Sequence, residues 1–207
     1  MTSRAPTAIT DAAARELVRR HLRGEEQLIW VGRPEPGWRL APGDWFLIPF
    51  GIFWVVFVIA WEVGAVLAAL ASGEGFVWFF PLFGIPFFIV GWFLTIGRFR
   101  LRAAQRRRLV YALTDRRLVA IERGRVDSVR SVFLEGLPGI GERIGRDGVG
   151  TLAFEPVPPM WAMYAGSGME SLIGGLSALP LQFFDIPDAP RVAALIAEQR
   201  DQATGGR

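Results

Sequence analysis

Between Trp45 and Gly97 the chain carries only two ionisable residues, Glu62 and Glu74. Residues 45–61, 63–73 and 75–97 are uncharged. A bilayer core about 30 Å thick is crossed by roughly 20 apolar residues at about 1.5 Å of helical rise each. Two segments of that length, joined by Ala71-Ser72-Gly73-Glu74-Gly75, predict a hairpin of two transmembrane helices over residues 45–97. A chain of 207 residues is too short to surround two helices that are apolar on every side. The hairpin leaves residues 1–44 as a cytoplasmic helix and strand, and residues 98–203 as a cytoplasmic domain long enough for its own core.

Orientation follows from arginine, which supplies all 23 basic residues. Arg15, Arg19, Arg20, Arg23, Arg33 and Arg39 precede the hairpin, and Arg98, Arg100, Arg102, Arg106, Arg107 and Arg108 follow it, whereas the turn has no basic residue. The positive-inside rule then predicts a multi-pass protein of the inner (cytoplasmic) membrane with both termini in the cytoplasm. Trp45 and Trp92 suit the interfacial aromatic belt. Met1–Arg23 has no apolar stretch of signal-peptide type, so the first hairpin helix is expected to act as an uncleaved anchor. Counted from Trp45, Glu62 lies about 26 Å along its helix, near the outer interface, where a carboxyl is tolerated; an ion-pathway role is the alternative. Pro81 and Pro86 are expected to bend the second helix. Gly64, Ala65, Ala68, Ala69, Gly84 and Gly91 should let the pair approach closely.

The six arginines of residues 98–108 are the candidate lipid headgroup-binding residues. Each is worth about 1 kcal/mol of attraction at an anionic leaflet. The run is also sufficient as a topology determinant alone. No nucleic-acid partner is expected for a patch tethered to a membrane.

The soluble parts read as strands with a helix at each end. Thr10 and Gly24 bound a short basic helix that either lies on the membrane surface or docks on the C-terminal domain. Residues 27–32, 108–113, 117–122, 125–134, 150–154 and 181–184 are β-rich runs bounded by turn residues, among them Asp147-Gly148. Asp188 and Pro190 open a last helix whose Val192, Leu195, Ile196 and Gln199 recur at helical spacing. Residues 155–180 form a long irregular segment whose Met160, Trp161, Met163 and Tyr164 are candidates for contact with a partner or the membrane.

Chemistry is restricted by what is missing. The chain has no Cys and no Lys, and His21 is its one histidine. That removes disulfides, thiolate nucleophiles and Cys-based metal sites. The glycines of residues 136–150 lack the GxxxxGK[ST] spacing of a phosphate loop, and Gly166-Ser167-Gly168 lacks that of a nucleophile elbow. An enzyme is not expected, and neither a cofactor nor a metal is implied.

These stretches resemble bacterial membrane proteins in which a pleckstrin-homology-like (PH-like) domain adjoins a transmembrane hairpin. The resemblance rests on Gly24-Glu25-Glu26-Gln27-Leu28-Ile29-Trp30 with Gly32-Arg33-Pro34, on Tyr111-Ala112-Leu113-Thr114-Asp115-Arg116-Arg117-Leu118, on Asp147-Gly148-Val149-Gly150-Thr151-Leu152 and on Phe184-Asp185-Ile186. It spans about residues 24–200. It implies a membrane α-hairpin plus a mainly-β domain, a small PH-like β-barrel capped by a C-terminal helix. The resemblance bears on fold and implies no activity; from the residues themselves the expected function is a non-enzymatic, membrane-anchored binding or scaffold module that contacts anionic lipid headgroups or a protein partner, with a subunit of a membrane transport complex, motivated by Glu62, as the alternative and an enzyme after that. Arg116 and Arg117 lie near the position where eukaryotic PH domains use a Lys/Arg pattern, but no Lys is present, so phosphoinositide specificity is not implied. Oligomeric state is not encoded in any of these motifs.

The topology has a direct test, since the chain has no native Cys. A cysteine placed at Ser72 should react with a membrane-impermeant maleimide added outside intact cells, and one at Ser128 should be protected until the cells are lysed. The reverse labelling pattern would overturn the cytoplasmic assignment.

Overall fold

Strand β1 (Leu28–Gly32) precedes the apolar hairpin in sequence, yet it pairs antiparallel with β2 (Leu109–Thr114), which follows it. The hairpin is therefore an insertion between two neighbouring strands of one sheet. This arrangement comes from a computed structural model that describes residues 11–35, 40–41, 43–156 and 180–205.

β2 continues into β3 (Arg117–Glu122) and β4 (Ser128–Phe133), completing a four-stranded antiparallel sheet in the order β1-β2-β3-β4. A second sheet holds β5 (Gly141–Ile144), β6 (Gly150–Ala153) and β7 (Gln182–Ile186). The expected barrel is thus seen as two antiparallel sheets with no closed ring of pairing among the described residues. A C-terminal helix follows, numbered α5 below (Ala189–Gly205).

β2 is buried along its whole length and β3 at all but its last residue, which explains their nearly continuous apolar sequence. One face of the sheet contributes Tyr111, Leu113 and Leu118 to a core shared with Leu152, Phe154 and Phe183 of the second sheet and with Val192 and Ile196 of α5. Phe183 stacks on Tyr111 at 4.4 Å between centroids and meets Phe154 edge-on at 4.8 Å. The Tyr111 hydroxyl accepts a hydrogen bond from the Phe184 N–H at 3.1 Å, so the buried phenol is satisfied. The opposite face, Val110, Ala112, Val119 and Ile121, is covered by helix α1 (Asp11–Arg19) through Ala14 and Val18. Of the two readings of the N-terminal helix, docking on the domain is the one observed, and its Arg15 and Arg19, with Arg20 just after it, remain exposed. The helix is also shorter than its sequence suggests, ending four residues before Arg23.

The hairpin begins with α2 (Asp44–Ser72), 29 residues long, which closes on Gly73 in the left-handed conformation (φ 66°). A continuous helical run of 32 residues, Gly75–Arg106, returns alongside it. This run comprises a 3-10 turn, α3 (Phe79–Trp92), a π turn (Phe93–Gly97) and α4 (Arg98–Arg106). Both helices are long and apolar enough to cross a membrane. Only 11% of the most apolar stretch of α2 and 17% of that in the returning run is buried, so no protein core among the described residues covers them. Pro81 falls in the first turn of α3, just after the 3-10 turn, and Pro86 lies within that helix. At the π turn the Thr95 hydroxyl donates to the carbonyls of Gly91 (2.9 Å) and Trp92 (3.2 Å), a back-bond that competes with the regular helical ladder.

Close approach depends on Gly84 and Gly91, as expected, while Gly64 is exposed with nothing near it. A methyl group at Gly91 would press on Trp54 and Val55. Across this contact the Trp54 indole N–H donates to the Phe87 carbonyl at 3.0 Å. At Gly84 the space is filled by the carboxyl of Glu62, which is turned into the hairpin partner. The helix continues ten residues beyond Glu62 to Ser72, so Glu62 lies well short of the hairpin tip.

This contact predicts a coupled pair. Gly84→Ala should lower the stability of the detergent-solubilised protein by about 1–3 kcal/mol, because a tight interface is overpacked. Glu62→Ala should restore most of that loss in the double variant, whereas additive losses in a thermal-melt double-mutant cycle would show the two residues to be independent.

Candidate functional site at the base of the hairpin

Because α4 continues the returning helix, the arginine run lies on a helix and not on a linker. Arg98, Arg102 and Arg106 recur every four residues and share one face. Arg100 lies on the opposite side, with Arg107 seven residues further on. The six arginines are therefore divided into two sets.

The first set is engaged within the protein. Asp44, the first residue of α2, is fully buried and is the acceptor for both Arg98 and Arg102. Arg102 Nη2 donates to Asp44 Oδ1 at 3.1 Å and Oδ2 at 2.9 Å, and Arg98 Nη1 donates to Oδ1. The Ala41 N–H adds a further hydrogen bond to Asp44 Oδ2 at 2.7 Å. Arg98 Nε donates to the Leu94 carbonyl at 2.6 Å. The Arg98 and Arg102 guanidinium groups stand 4.3 and 5.4 Å from the centroid of the Phe99 ring. A buried arginine needs a counter-charge and satisfied donors, and here one carboxylate serves two of them. Arg106, one turn further, pairs with Asp185 at the end of β7 and so joins the hairpin helix to the second sheet.

The second set, Arg100, Arg107 and Arg108, is exposed at the same end of the hairpin. Met160, Trp161, Met163 and Tyr164 lie outside the described residues. The ends of the segment that contains them are held together: Glu155 Oε2 accepts from the Leu181 N–H at 2.6 Å and from Arg130 at 2.9 Å.

A second buried ion pair ties the chain before the hairpin to the sheet after it. Arg117 Nε and Nη2 donate to the two oxygens of Glu26 at 2.7 and 2.9 Å, and Nη2 also donates to the His21 carbonyl at 2.9 Å. Burial opposes charge on Glu26, but hydrogen bonds from Arg117 and from the Arg23 N–H, with the charges of both arginines, hold its carboxyl below the usual range. Arg117 is thereby fixed as a structural group, and exposed Arg116 is the outward-facing member of that Arg-Arg pair.

Beside α4 lies a cleft of about 990 Å³ between α1, the chain leaving β1, the end of α4 and the start of α5. Arg15, Arg33, Arg106, Arg107 and Arg191 line it. Sequence reading passed over this cleft because its arginines come from four separate stretches. Asp44 was legible in principle: it is the one acidic residue between Glu35 and Glu62, and the Arg98/Arg102/Arg106 spacing requires an acid on a facing element once α4 is read as helix. The chain matches no family model, no curated protein and no solved structure.

Removing the central carboxylate should have a large effect. Asp44→Asn leaves two buried guanidinium groups without a counter-charge and should lower unfolding free energy by about 3–5 kcal/mol in mixed-micelle denaturation. Arg100→Gln, on the exposed face, should stay within about 0.5 kcal/mol of the parent. Equal effects of the two substitutions would show that the Asp44 cluster is not a structural lock.

Proposed function

We propose that this chain is a membrane-anchored, non-enzymatic binding module. In this reading the hairpin spans the inner membrane with both termini cytoplasmic, and a PH-like domain is held at the anionic leaflet. The observation that carries the proposal is the division of the arginine helix. Arg98, Arg102 and Arg106 hold the hairpin's foot and the domain together, while Arg100, Arg107 and Arg108 remain exposed where the apolar surface ends. Attraction to anionic headgroups is then carried by the exposed set, at about 1 kcal/mol per arginine. The PH-like reading is supported by the two antiparallel sheets, with seven strands among the described residues, around one core with α5 packed into it. Asp44, being buried beside the first apolar turn of α2, would set the depth of the inner membrane boundary.

The full-length protein, extracted gently from mixed bilayers, should retain anionic phospholipid above its bulk fraction when bound lipids are counted by native mass spectrometry. Changing Arg100 and Arg108 together to Gln should lower that enrichment at least threefold, since two arginines account for about 2 kcal/mol before salt screening. Unchanged enrichment in the double variant would mean that these arginines fix topology only.

A further inference from the structure

We infer that the cleft beside α4 is a binding site for a phosphate-bearing anion, held between Arg15 on α1 and Arg107 at the end of α4. This goes beyond attraction of the exposed arginines to a leaflet, because it names a cleft in which Arg107 of that set faces Arg15 of α1. Four chain segments that are distant in sequence build the walls, and each brings arginine: Arg15, Arg33, the pair Arg106 and Arg107, and Arg191. Against these five stand three carboxylates in the lining, Asp11, Glu35 and Asp188. Internal pairing consumes much of this charge. Arg33 Nη2 donates to Asp11 at 2.5 Å, Arg106 pairs with Asp185, and Arg191 is 3.9 Å from Asp188. Arg15 and Arg107 have no ion-pair partner among the described residues, and they stand on different walls of the same cleft. Two unpaired guanidinium groups on either side of one opening suit a tetrahedral anion, which each can contact with forked N–H donors.

Two further observations belong to the same place. The cleft has apolar lining from Trp30, Val192 and Leu195, so the ligand that fills it carries a less polar body beside its phosphate. The rim is conformationally unusual. Asp185 (φ 45°) and Asp188 (φ 53°) are the two non-glycine residues of positive φ among those described, and they bracket Ile186-Pro187 at the entrance to α5. Such conformations persist only where the surroundings enforce them, and they concentrate at ligand clamps. Here the Asp185 carbonyl accepts the Glu35 N–H at 2.7 Å, and the Asp188 carbonyl accepts the Val192 N–H at 3.1 Å. The strained turn thus fixes the start of α5, and with it Arg191, against the chain leaving β1.

A phosphate-bearing anion reaches this cleft either as a lipid headgroup or as a soluble ester. The test uses the full chain in nanodiscs of phosphatidylcholine alone, titrated with inorganic pyrophosphate and read by thermal melting. Millimolar pyrophosphate should raise the melting temperature, as any ligand selective for the folded state does. Arg15→Gln with Arg107→Gln should weaken the apparent affinity at least tenfold. Arg19→Gln with Arg20→Gln, at the end of the same helix but outside the cleft, should leave it unchanged, and Arg15→Lys with Arg107→Lys should recover part of it. A second set of nanodiscs containing phosphatidic acid separates the sources. If the lipid headgroup occupies the cleft, these discs melt higher and pyrophosphate adds nothing; if the ligand is soluble, the pyrophosphate shift persists. Both results support the site. No shift with either probe, or a shift that survives intact in the Arg15/Arg107 Gln variant while its ligand-free melting is normal, would overturn it. The Arg100/Arg108 variant leaves the cleft intact, so loss of leaflet attraction is distinguishable from loss of this site.

Discussion

A single buried carboxylate, that of Asp44, holds the two feet of the hairpin together. It accepts from Arg98 and Arg102, which stand one turn apart on the returning helix, and from the backbone of its own approach segment. Two apolar helices in an apolar surrounding have little hydrophobic reason to stay at one register. A shared, desolvated ion pair supplies that register, because sliding α4 by one residue would separate the guanidinium groups from their acceptor. The close contacts at Gly84 and Gly91 then follow from a register already set at the base.

The same logic connects the hairpin to the domain. Arg106 continues the Arg98/Arg102 face and reaches Asp185 in the second sheet, while the chain ahead of the hairpin is secured by Glu26 on Arg117. The four-stranded sheet is the middle layer, with α1 against one face and the second sheet with α5 against the other. Its central strands β2 and β3 are buried on both sides, whereas β4 at the edge is partly exposed. Charge in this protein therefore acts in two ways. Buried pairs position elements, and the arginines left over define an exposed patch and a cleft.

Much of this was legible in the residues. The hairpin stood out because length and lack of charge are local properties, and β1, β3 and α5 were bounded by turn residues with fixed backbone preferences. β5 was not, because Gly141-Glu142-Arg143-Ile144 is exposed throughout and has no apolar alternation to reveal it. The arginine run was read as one patch, since a count of charges ignores the helical phase that divides it. Glu62 was placed by its distance along the helix from Trp45, which carries no information on its neighbour across the hairpin; its carboxyl fills the space beside Gly84. The cleft could not be found from sequence at all: its walls meet only through tertiary packing.

Inserting the hairpin between β1 and β2 also imposes an order on biosynthesis. Glu26 leaves the ribosome long before Arg117, its partner 91 residues downstream. At about 5–20 residues per second, β1 waits for several seconds with its ladder partner unmade. No part of the four-stranded sheet can close until both long helices have been synthesised and have turned back. The domain is in effect a proof of completion: a truncated or misdirected hairpin leaves β1 without β2, and a frayed strand of Leu, Ile, Trp and Val exposed to quality-control proteases.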